Sequence, residues 1–182
     1  MDIQKVVLSV LPINSPRYAN IVIKCFFRIR VVKWGALIVR RRILKDHVLK
    51  KLMTNPIIVK LIVDCFKNGG KVLIIGNGGS MAMASHMMAE FVGIYQNKEA
   101  LPAIALSDST TMSALANDLG YKYVFSRQVE ALGKKGDCLI VFSTSGRSNN
   151  VIEAMYEANL RGIKVIDMPR IKGTTQEIQE NQ

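Results

Sequence analysis

The sequence predicts an α/β domain in which a parallel sheet is covered on both faces by helices. Four short apolar runs have the length of buried strands, and segments with helical periodicity separate them. The 182 residues are 49% hydrophobic and 21% charged, which is typical of a globular chain and excludes wholesale disorder. This length accommodates one α/β domain with a large core but not two full domains.

The predicted elements begin at about residue 46. Apolar side chains at near-helical spacing predict a helix over His47–Phe66, with Pro56 as a break or a new first turn and Asn68-Gly69-Gly70 as its end. Strands and helices then alternate: strand Lys71–Ile75, turn Gly76–Ser80, a helix to about Gly93 or Tyr95, strand Pro102–Leu106, helices Thr110–Asn117 and Tyr123–Leu132, strand Cys138–Phe142, loop Ser143–Ser148, helix Asn149–Leu160 and strand Lys164–Asp167.

The net charge of +11 is concentrated at one end of the chain. Residues 1–45 carry ten basic side chains and one acidic one, whereas residues 46–182 carry a net charge of only +2. This basic N-terminal arm ends in Arg40-Arg41-Arg42, which we interpret as a solvated helix end in preference to an anchor for phosphates or acidic lipid headgroups. Contact with nucleic acid or a membrane surface through the arm stays a weaker alternative, which predicts salt-sensitive binding that deletion of residues 1–45 removes.

The sequence favours a cytoplasmic location. Its most apolar stretch, Val31–Val39, is interrupted by Lys33 and falls short of the roughly 20 residues that a membrane-spanning helix needs. Three widely spaced cysteines (Cys25, Cys65 and Cys138) fit reduced thiols better than a disulfide framework or a metal knuckle.

Two polar loops follow predicted strands, and ligands of open parallel sheets bind at the carboxyl ends of strands. The glycine loop, Gly76-Asn77-Gly78-Gly79-Ser80, lacks the lysine of a nucleotide-binding P-loop and the third glycine of a dinucleotide fingerprint. A plain tight turn is the simplest interpretation. Three glycines in four positions beside an asparagine nevertheless favour a loop whose backbone approaches a ligand.

The second loop, Ser143-Thr144-Ser145-Gly146-Arg147-Ser148, is called the serine loop below. Its four hydroxyls precede a predicted helix, and hydroxyls, backbone amides and a helix N-terminus together suit a phosphate. A Ser/Thr-capped helix start explains one or two of these hydroxyls but not four.

His86 and Glu90 lie at i, i+4 spacing on the helix after the glycine loop, and so share one face. Such a pair is usually a surface pair or includes a satisfied core histidine, but the position directly after a ligand loop favours a shared divalent metal. Asn117-Asp118 ends another predicted helix, where asparagine is an ordinary terminator.

Several motifs in order resemble a sugar isomerase (SIS) domain and, more narrowly, the phosphoheptose isomerase family. The resemblance runs from about Leu49 to Ile166 and is carried by Gly-Asn-Gly-Gly-Ser (76–80), His86, Glu90, Leu-Pro-Ala-Ile-Ala-Leu (101–106), Ala-Asn-Asp (116–118), Phe-Ser-Arg-Gln-Val-Glu-Ala-Leu-Gly (125–133), Gly-Asp (136–137) and Ser-Thr-Ser-Gly-x-Ser (143–148). It implies a three-layer, flavodoxin-like parallel sheet and a cytoplasmic homotetramer with sites between subunits. The implied reaction interconverts D-sedoheptulose 7-phosphate and D-glycero-D-manno-heptose 7-phosphate for heptose and lipopolysaccharide precursors.

The resemblance also implies residue roles. It gives Glu90 the role of catalytic base and gives zinc, one ion per subunit, the ligands His86, Glu90 and Gln179. The implied substrate-binding residues are Asn77, Gly78, Gly79, Glu90, Asn117, Asp118, Ser143, Thr144, Ser145, Ser148 and Gln179.

The C-terminal segment departs from the family pattern. Gln182 stands where a histidine is usual, and the later histidine that completes the family's metal site has no counterpart here. The resemblance therefore implies a basic arm over 1–45 without a family match and a C-terminally shortened SIS domain over 46–182. An isomerase, with activity impaired by the missing histidine, is the first hypothesis, and the alternative is a non-catalytic SIS module that binds a sugar phosphate or, like one relative, a replication initiator protein.

Overall fold

The computed structural model describes residues 55–93 and 99–168, and the predicted α/β class is confirmed there. The strands are β1 (Val72–Gly76), β2 (Ala103–Ala105), β3 (Cys138–Phe142) and β4 (Lys164–Met168). All are parallel, and their order in the sheet is β2-β1-β3-β4. β1 and β3 pair in register from Val72 opposite Cys138 to Gly76 opposite Phe142, so the carboxyl ends of the two central strands lie side by side.

Helices connect the strands. In chain order they are α1 (Pro56–Lys67), α2 (Gly79–Val92), α3 (Ser109–Leu119), a 3₁₀ turn (Tyr121–Tyr123), α4 (Ser126–Leu132) and α5 (Asn149–Leu160). α1 begins where the sequence places a cap and a proline, because the side chain of Asn55 accepts a hydrogen bond of 2.9 Å from the amide of Ile57. Asp108 caps α3 in the same way through the amide of Thr111. Hydrogen bonding to the side chain of Thr111 and to this amide lowers the pKa of Asp108.

The alternation of side chains along β1 explains the three layers. Val72 and Ile74 belong to a core with buried side chains of α1 and α2, whereas Leu73 and Ile75 belong to a second core with α4 and α5. All four are at most 1% exposed. A sheet that is apolar on both faces must be covered on both, which is why its strands read as continuous hydrophobic runs.

A buried carboxylate holds the amino ends of β1 and β3 together. Asp137, which is fully buried, accepts hydrogen bonds from the backbone amides of Lys71 and Lys134, both at 2.9 Å, and from the Lys71 ammonium at 2.6 Å. Three hydrogen-bond donors satisfy the buried carboxylate, and its removal would leave these donors without an acceptor. The pair therefore fixes the edge of the sheet opposite the two polar loops.

The predicted boundaries agree with the structure to within a few residues where both can be compared. The largest differences are β2, which is shorter than Pro102–Leu106, and the segment from Tyr121, which forms a 3₁₀ turn before α4. Within residues 55–93 and 99–168, no helix combines the length and hydrophobicity needed to cross a bilayer. The basic arm, the start of the helix predicted from His47, and Gln179 lie outside the described residues.

Candidate active site

The two polar loops meet at the carboxyl edge of the sheet, as predicted. The glycine loop leaves β1 after Gly76 and the serine loop leaves β3 after Phe142, and these two residues are register partners. Adjacent strands are about 4.8 Å apart, so the loops start as neighbours. The edge is therefore a crevice between two loops that each precede a helix.

The three glycines of the glycine loop are glycine for different physical reasons. A Cβ on Gly76 would lie 2.8 Å from backbone and Cβ atoms of Ser80 and 2.9 Å from the carbonyl oxygen of Phe142, so the fold itself excludes a side chain there. Gly78 has φ +53° and ψ −120°, a conformation that other residues avoid. A Cβ on Gly79 would meet nothing within 4 Å, so the packing of the described residues does not require this glycine. The open space above Gly79 is where a ligand can approach the start of α2.

The serine loop folds back on itself through its hydroxyls. Ser143 Oγ accepts a hydrogen bond of 3.0 Å from the amide of Gly146, and Ser145 Oγ accepts one of 3.1 Å from the amide of Arg147. Ser148 is the N-cap residue of α5, yet its side chain makes no capping hydrogen bond, and its Oγ lies 3.4 Å from Ser145 Oγ. Because the Ser148 hydroxyl does not cap the helix, it can donate a hydrogen bond to an anion at the positive end of α5.

Asn77 joins the glycine loop to α5, which the sequence does not foretell. Its Nδ2 donates to Asn150 Oδ1 and its Oδ1 accepts from Asn150 Nδ2, both at 2.9 Å. The Tyr121 hydroxyl donates to the same Asn77 oxygen at 3.1 Å. Asn150 and Tyr121 are therefore site residues that sequence reasoning missed, since an asparagine in a first helical turn ordinarily signals only a helix start.

Asn117 and Asp118 lie at the C-terminal end of α3, exposed, with Asn117 Nδ2 bonded to Asp118 Oδ1 at 2.9 Å. Tyr121 follows them directly after the turn at Gly120, and its contact with Asn77 brings this end of α3 to the crevice. The structure thus gathers three of the predicted segments at one edge.

His86 and Glu90 occupy a different place. They lie about 10 Å and about 16 Å from Gly79 along the axis of α2, at 1.5 Å per residue. α2 runs back along the sheet from the glycine loop, so Glu90 is near the opposite end of the helix from the crevice. Glu90 is 7% exposed and His86 is half-buried. Within a single chain, the predicted base therefore lies toward the far end of α2 from the glycine loop.

Comparison with known proteins decides the family. The family model described as SIS domain matches residues 43–168, which is more than half of the chain. The chain belongs to the SIS domain family.

Relatives of this SIS domain include enzymes named phosphoheptose isomerase. Those of Glaesserella parasuis and Cytophaga hutchinsonii are 54% and 51% identical to it over 109 and 107 residues, or 59% and 58% of this chain. The chain spans little more than half of those relatives, 57% and 56% of their length. The structure of the phosphoheptose isomerase from Neisseria gonorrhoeae superposes with a TM-score of 0.62 at 42% identity, covering 71% of this chain and 70% of that one. A phosphoheptose isomerase from Francisella tularensis gives 0.60 at 32% identity, covering 84% and 71%.

The metal site expected from the resemblance is represented by two side chains in the described part of this SIS domain. Nε2 of His86 is buried and has no hydrogen-bond partner among residues 55–93 and 99–168, which is the state of a nitrogen that awaits a ligand. Histidine nitrogens and glutamate oxygens, such as those of His86 and Glu90, are common zinc ligands. The same ranges contain no cluster of three His, Cys, Asp or Glu side chains suited to a metal, and Gln179, the third ligand implied by the resemblance, lies outside them.

A separate groove of about 640 Å³ lies between α3, α4 and α5 of this SIS domain. Of the site residues predicted from the sequence, its described lining contains only Asp118. Three of its acidic side chains form ion pairs: Lys122 lies 2.9 Å from Glu153, Arg161 pairs with Glu157, and Arg127 hydrogen-bonds to Glu130 and lowers its pKa. The groove contains no residue of the glycine loop or the serine loop, and Asp118 is the predicted site residue that it shares with the crevice.

Proposed function

We propose that this chain is a sugar-phosphate isomerase that interconverts D-sedoheptulose 7-phosphate and D-glycero-D-manno-heptose 7-phosphate. The observation that carries the proposal is the crevice between the glycine and serine loops, in a region about half identical to enzymes named phosphoheptose isomerase. The names of these relatives do not favour the non-catalytic binding module. The product would supply heptose and lipopolysaccharide precursors in the cytoplasm.

The serine loop is proposed to hold the substrate phosphate. Ser143, Thr144, Ser145 and Ser148 supply hydroxyls, and the first amides of α5 supply N–H donors at the positive end of the helix dipole. Gly146, at φ +63°, lets the loop turn sharply just before α5. The loop contains Arg147 but no cluster of cations, so this is recognition by hydrogen bonds more than by net charge.

The sugar is proposed to lie over the glycine loop. The open space above Gly79 and the positive φ of Gly78 let main-chain amides approach its hydroxyls without a side chain in between. Asn117 and Asp118, exposed at the neighbouring end of α3, are placed as further polar contacts to the sugar.

Glu90 is proposed to move the proton. Aldose–ketose isomerisation transfers a proton between adjacent carbons through an enediol, and a buried carboxylate can take it from one carbon and return it to the other. His86 is suited to hold the metal ion, since its buried Nε2 has no hydrogen-bond partner among residues 55–93 and 99–168. Zinc bound by His86, Glu90 and Gln179 would supply positive charge for the developing enediolate.

The proposed site is shared between copies of the chain. Glu90 lies about 16 Å from Gly79 along α2, so the base of one copy would act on a substrate held by the loops of another. The homotetramer implied by the family resemblance offers such contacts, because closed symmetric assemblies repeat one interface at every site.

The proposal is tested by incubating the purified full chain with zinc and sedoheptulose 7-phosphate and following the aldose product by NMR. We expect product formation, with kcat lowered at least about 100-fold in Glu90→Gln because an amide cannot accept the proton. Glu153→Gln, which removes a half-buried carboxylate paired with Lys122, is the matched control and should leave kcat unchanged. If the wild-type chain binds the sugar phosphate without turnover, the isomerase assignment is wrong.

A further inference from the structure

The side chain of Asn77 is the point at which three segments of the site meet. Through it the glycine loop is bonded to Asn150 in the first turn of α5 and to Tyr121 beyond the end of α3. These partners are 73 and 44 residues away in sequence. A single amide thus connects the loops that follow β1 and β3 with the end of α3.

The pairing is reciprocal and partly buried. Each amide of the Asn77–Asn150 pair gives one N–H and accepts one, and Asn150 is only 4% exposed. With Tyr121 as a second donor, Asn77 Oδ1 accepts two hydrogen bonds, which is the ordinary capacity of an amide oxygen. One Nδ2 hydrogen of Asn77 is left over for a ligand. Direct recognition of a sugar by the Asn77 oxygen would require this pair to open.

We propose that Asn150 and Tyr121 are positioning residues of the sugar-phosphate site, which hold Asn77 so that the glycine loop and the serine loop keep one fixed spacing. The inference rests on the proposed function for its substrate, but the coupling between the loops stands on the hydrogen bonds alone. A sugar phosphate that contacts both loops would lose affinity if either could drift, because binding then has to order them. Asn77 accordingly contributes to binding through the two loops that it connects as much as through its own contact with the sugar.

The first test compares the turnover of sedoheptulose 7-phosphate by two test substitutions and their matched controls. Asn150→Ala should lower kcat/KM at least about 10-fold, and Tyr121→Phe, which removes only one hydroxyl at an exposed site, about 3-fold. The matched controls are Asn149→Ala, at the exposed neighbouring position of α5, and Tyr156→Phe, which removes a hydroxyl from an exposed tyrosine of the same helix. If both test variants stay within about twofold of their controls, the proposal is overturned. If Asn150→Ala does not fold, Tyr121→Phe decides alone.

The second test uses a pH signature that a general loss of stability would not produce. In Asn150→Asp an ionised carboxylate faces Asn77 Oδ1 and cannot donate, whereas the protonated carboxyl can donate and restore the reciprocal pair. Affinity for the sugar phosphate should therefore recover, relative to Asn149→Asp, as the pH falls from about 8 to about 4, because burial at position 150 raises the pKa of a carboxyl placed there. Asn149→Asp places the same charge one residue away, so it corrects for repulsion of the phosphate and for titration of the phosphate itself. Parallel pH profiles for the two variants would contradict the proposal.

The third readout needs no substrate and so separates this inference from the isomerase assignment. Hydrogen–deuterium exchange of the amides in residues 76–80 and 143–148 should rise in Asn150→Ala and stay at the wild-type level in Asn149→Ala. Faster exchange in a chain that turns over no sugar would retain the coupling and reject only the isomerase. Unchanged exchange in residues 76–80 would reject the coupling whatever the activity.

Discussion

The substitutions Gly76→Ala and Gly79→Ala distinguish a glycine that the fold requires from a glycine that ligand binding requires. Both glycines belong to the same loop, and the change adds the same single methyl group. A Cβ at Gly76 would lie 2.8 Å from Ser80 and 2.9 Å from the carbonyl oxygen of Phe142, whereas a Cβ at Gly79 would meet nothing within 4 Å. The first variant should therefore damage the fold, and the second should damage binding alone.

The size of each effect follows from these contacts. The atoms that Gly76→Ala would strike are backbone or Cβ atoms, which cannot rotate away, so overpacking should cost about 1–3 kcal/mol of the free energy of unfolding. For a chain of this length, that corresponds to a fall in Tm of about 2–12 °C. Gly79 is the first residue of α2, and alanine there should raise the free energy of unfolding by about 0.4–1 kcal/mol, because the unfolded chain loses freedom.

The assay is a thermal melt of each variant, with and without sedoheptulose 7-phosphate, followed by calorimetric titration. Gly79→Ala should melt at or slightly above the wild-type Tm and bind the sugar phosphate at least about 10-fold more weakly, because its methyl group occupies the ligand's approach. Wild-type affinity in this variant would show that the ligand does not come close to the start of α2. An unchanged Tm in Gly76→Ala would show that the close approach at the end of β1 is not a constraint.

Three further variants test separate parts of the structure. Asp137→Asn, which breaks the buried ion pair, should lower the free energy of unfolding, measured in urea, by about 3 kcal/mol. Asp64→Asn, at an exposed ion pair, should change it by less than about 1 kcal/mol. Equal effects of the two substitutions would show that the buried pair does not stabilise the sheet. Mixing and refolding Glu90→Gln with Ser148→Ala at equal amounts should raise the activity to about a quarter of the wild-type level if sites are shared between copies, and should give only the mean activity of the two separate variants if each site lies in one chain. His86→Ala should lower the zinc that copurifies with the chain, measured by elemental analysis, while unchanged zinc content would remove this histidine from the metal site.

Most of the fold could be predicted because the deciding signals are local. β1 and β3 are apolar at every position, since both of their faces are covered, and glycine or asparagine stands where α1 and α3 end. The length of β2 could not be predicted in this way. It is an edge strand that pairs with β1 at only three positions, so its ends depend on its neighbour and not on its own composition.

The candidate site could be predicted in part for the same reason. Glycine and hydroxyl residues after buried strands are visible in the sequence, and both loops do lie at the carboxyl edge. The pairing of Asn77 with Asn150 spans 73 residues and depends on which strands are neighbours, which no local pattern encodes. The separation of Glu90 from the loops also emerges only when α2 is seen to run back along the sheet.

The most direct test of the account is isomerisation in D₂O, with proton NMR of the recovered sugar phosphates. If Glu90 carries a proton between adjacent carbons through an enediol, deuterium from solvent should appear at C2 of the aldose product and at C1 of the recovered ketose. Glu90→Gln should lose both the product and the exchange. Sedoheptulose 7-phosphate that binds in the presence of zinc, yet shows neither product nor deuterium, would contradict the account.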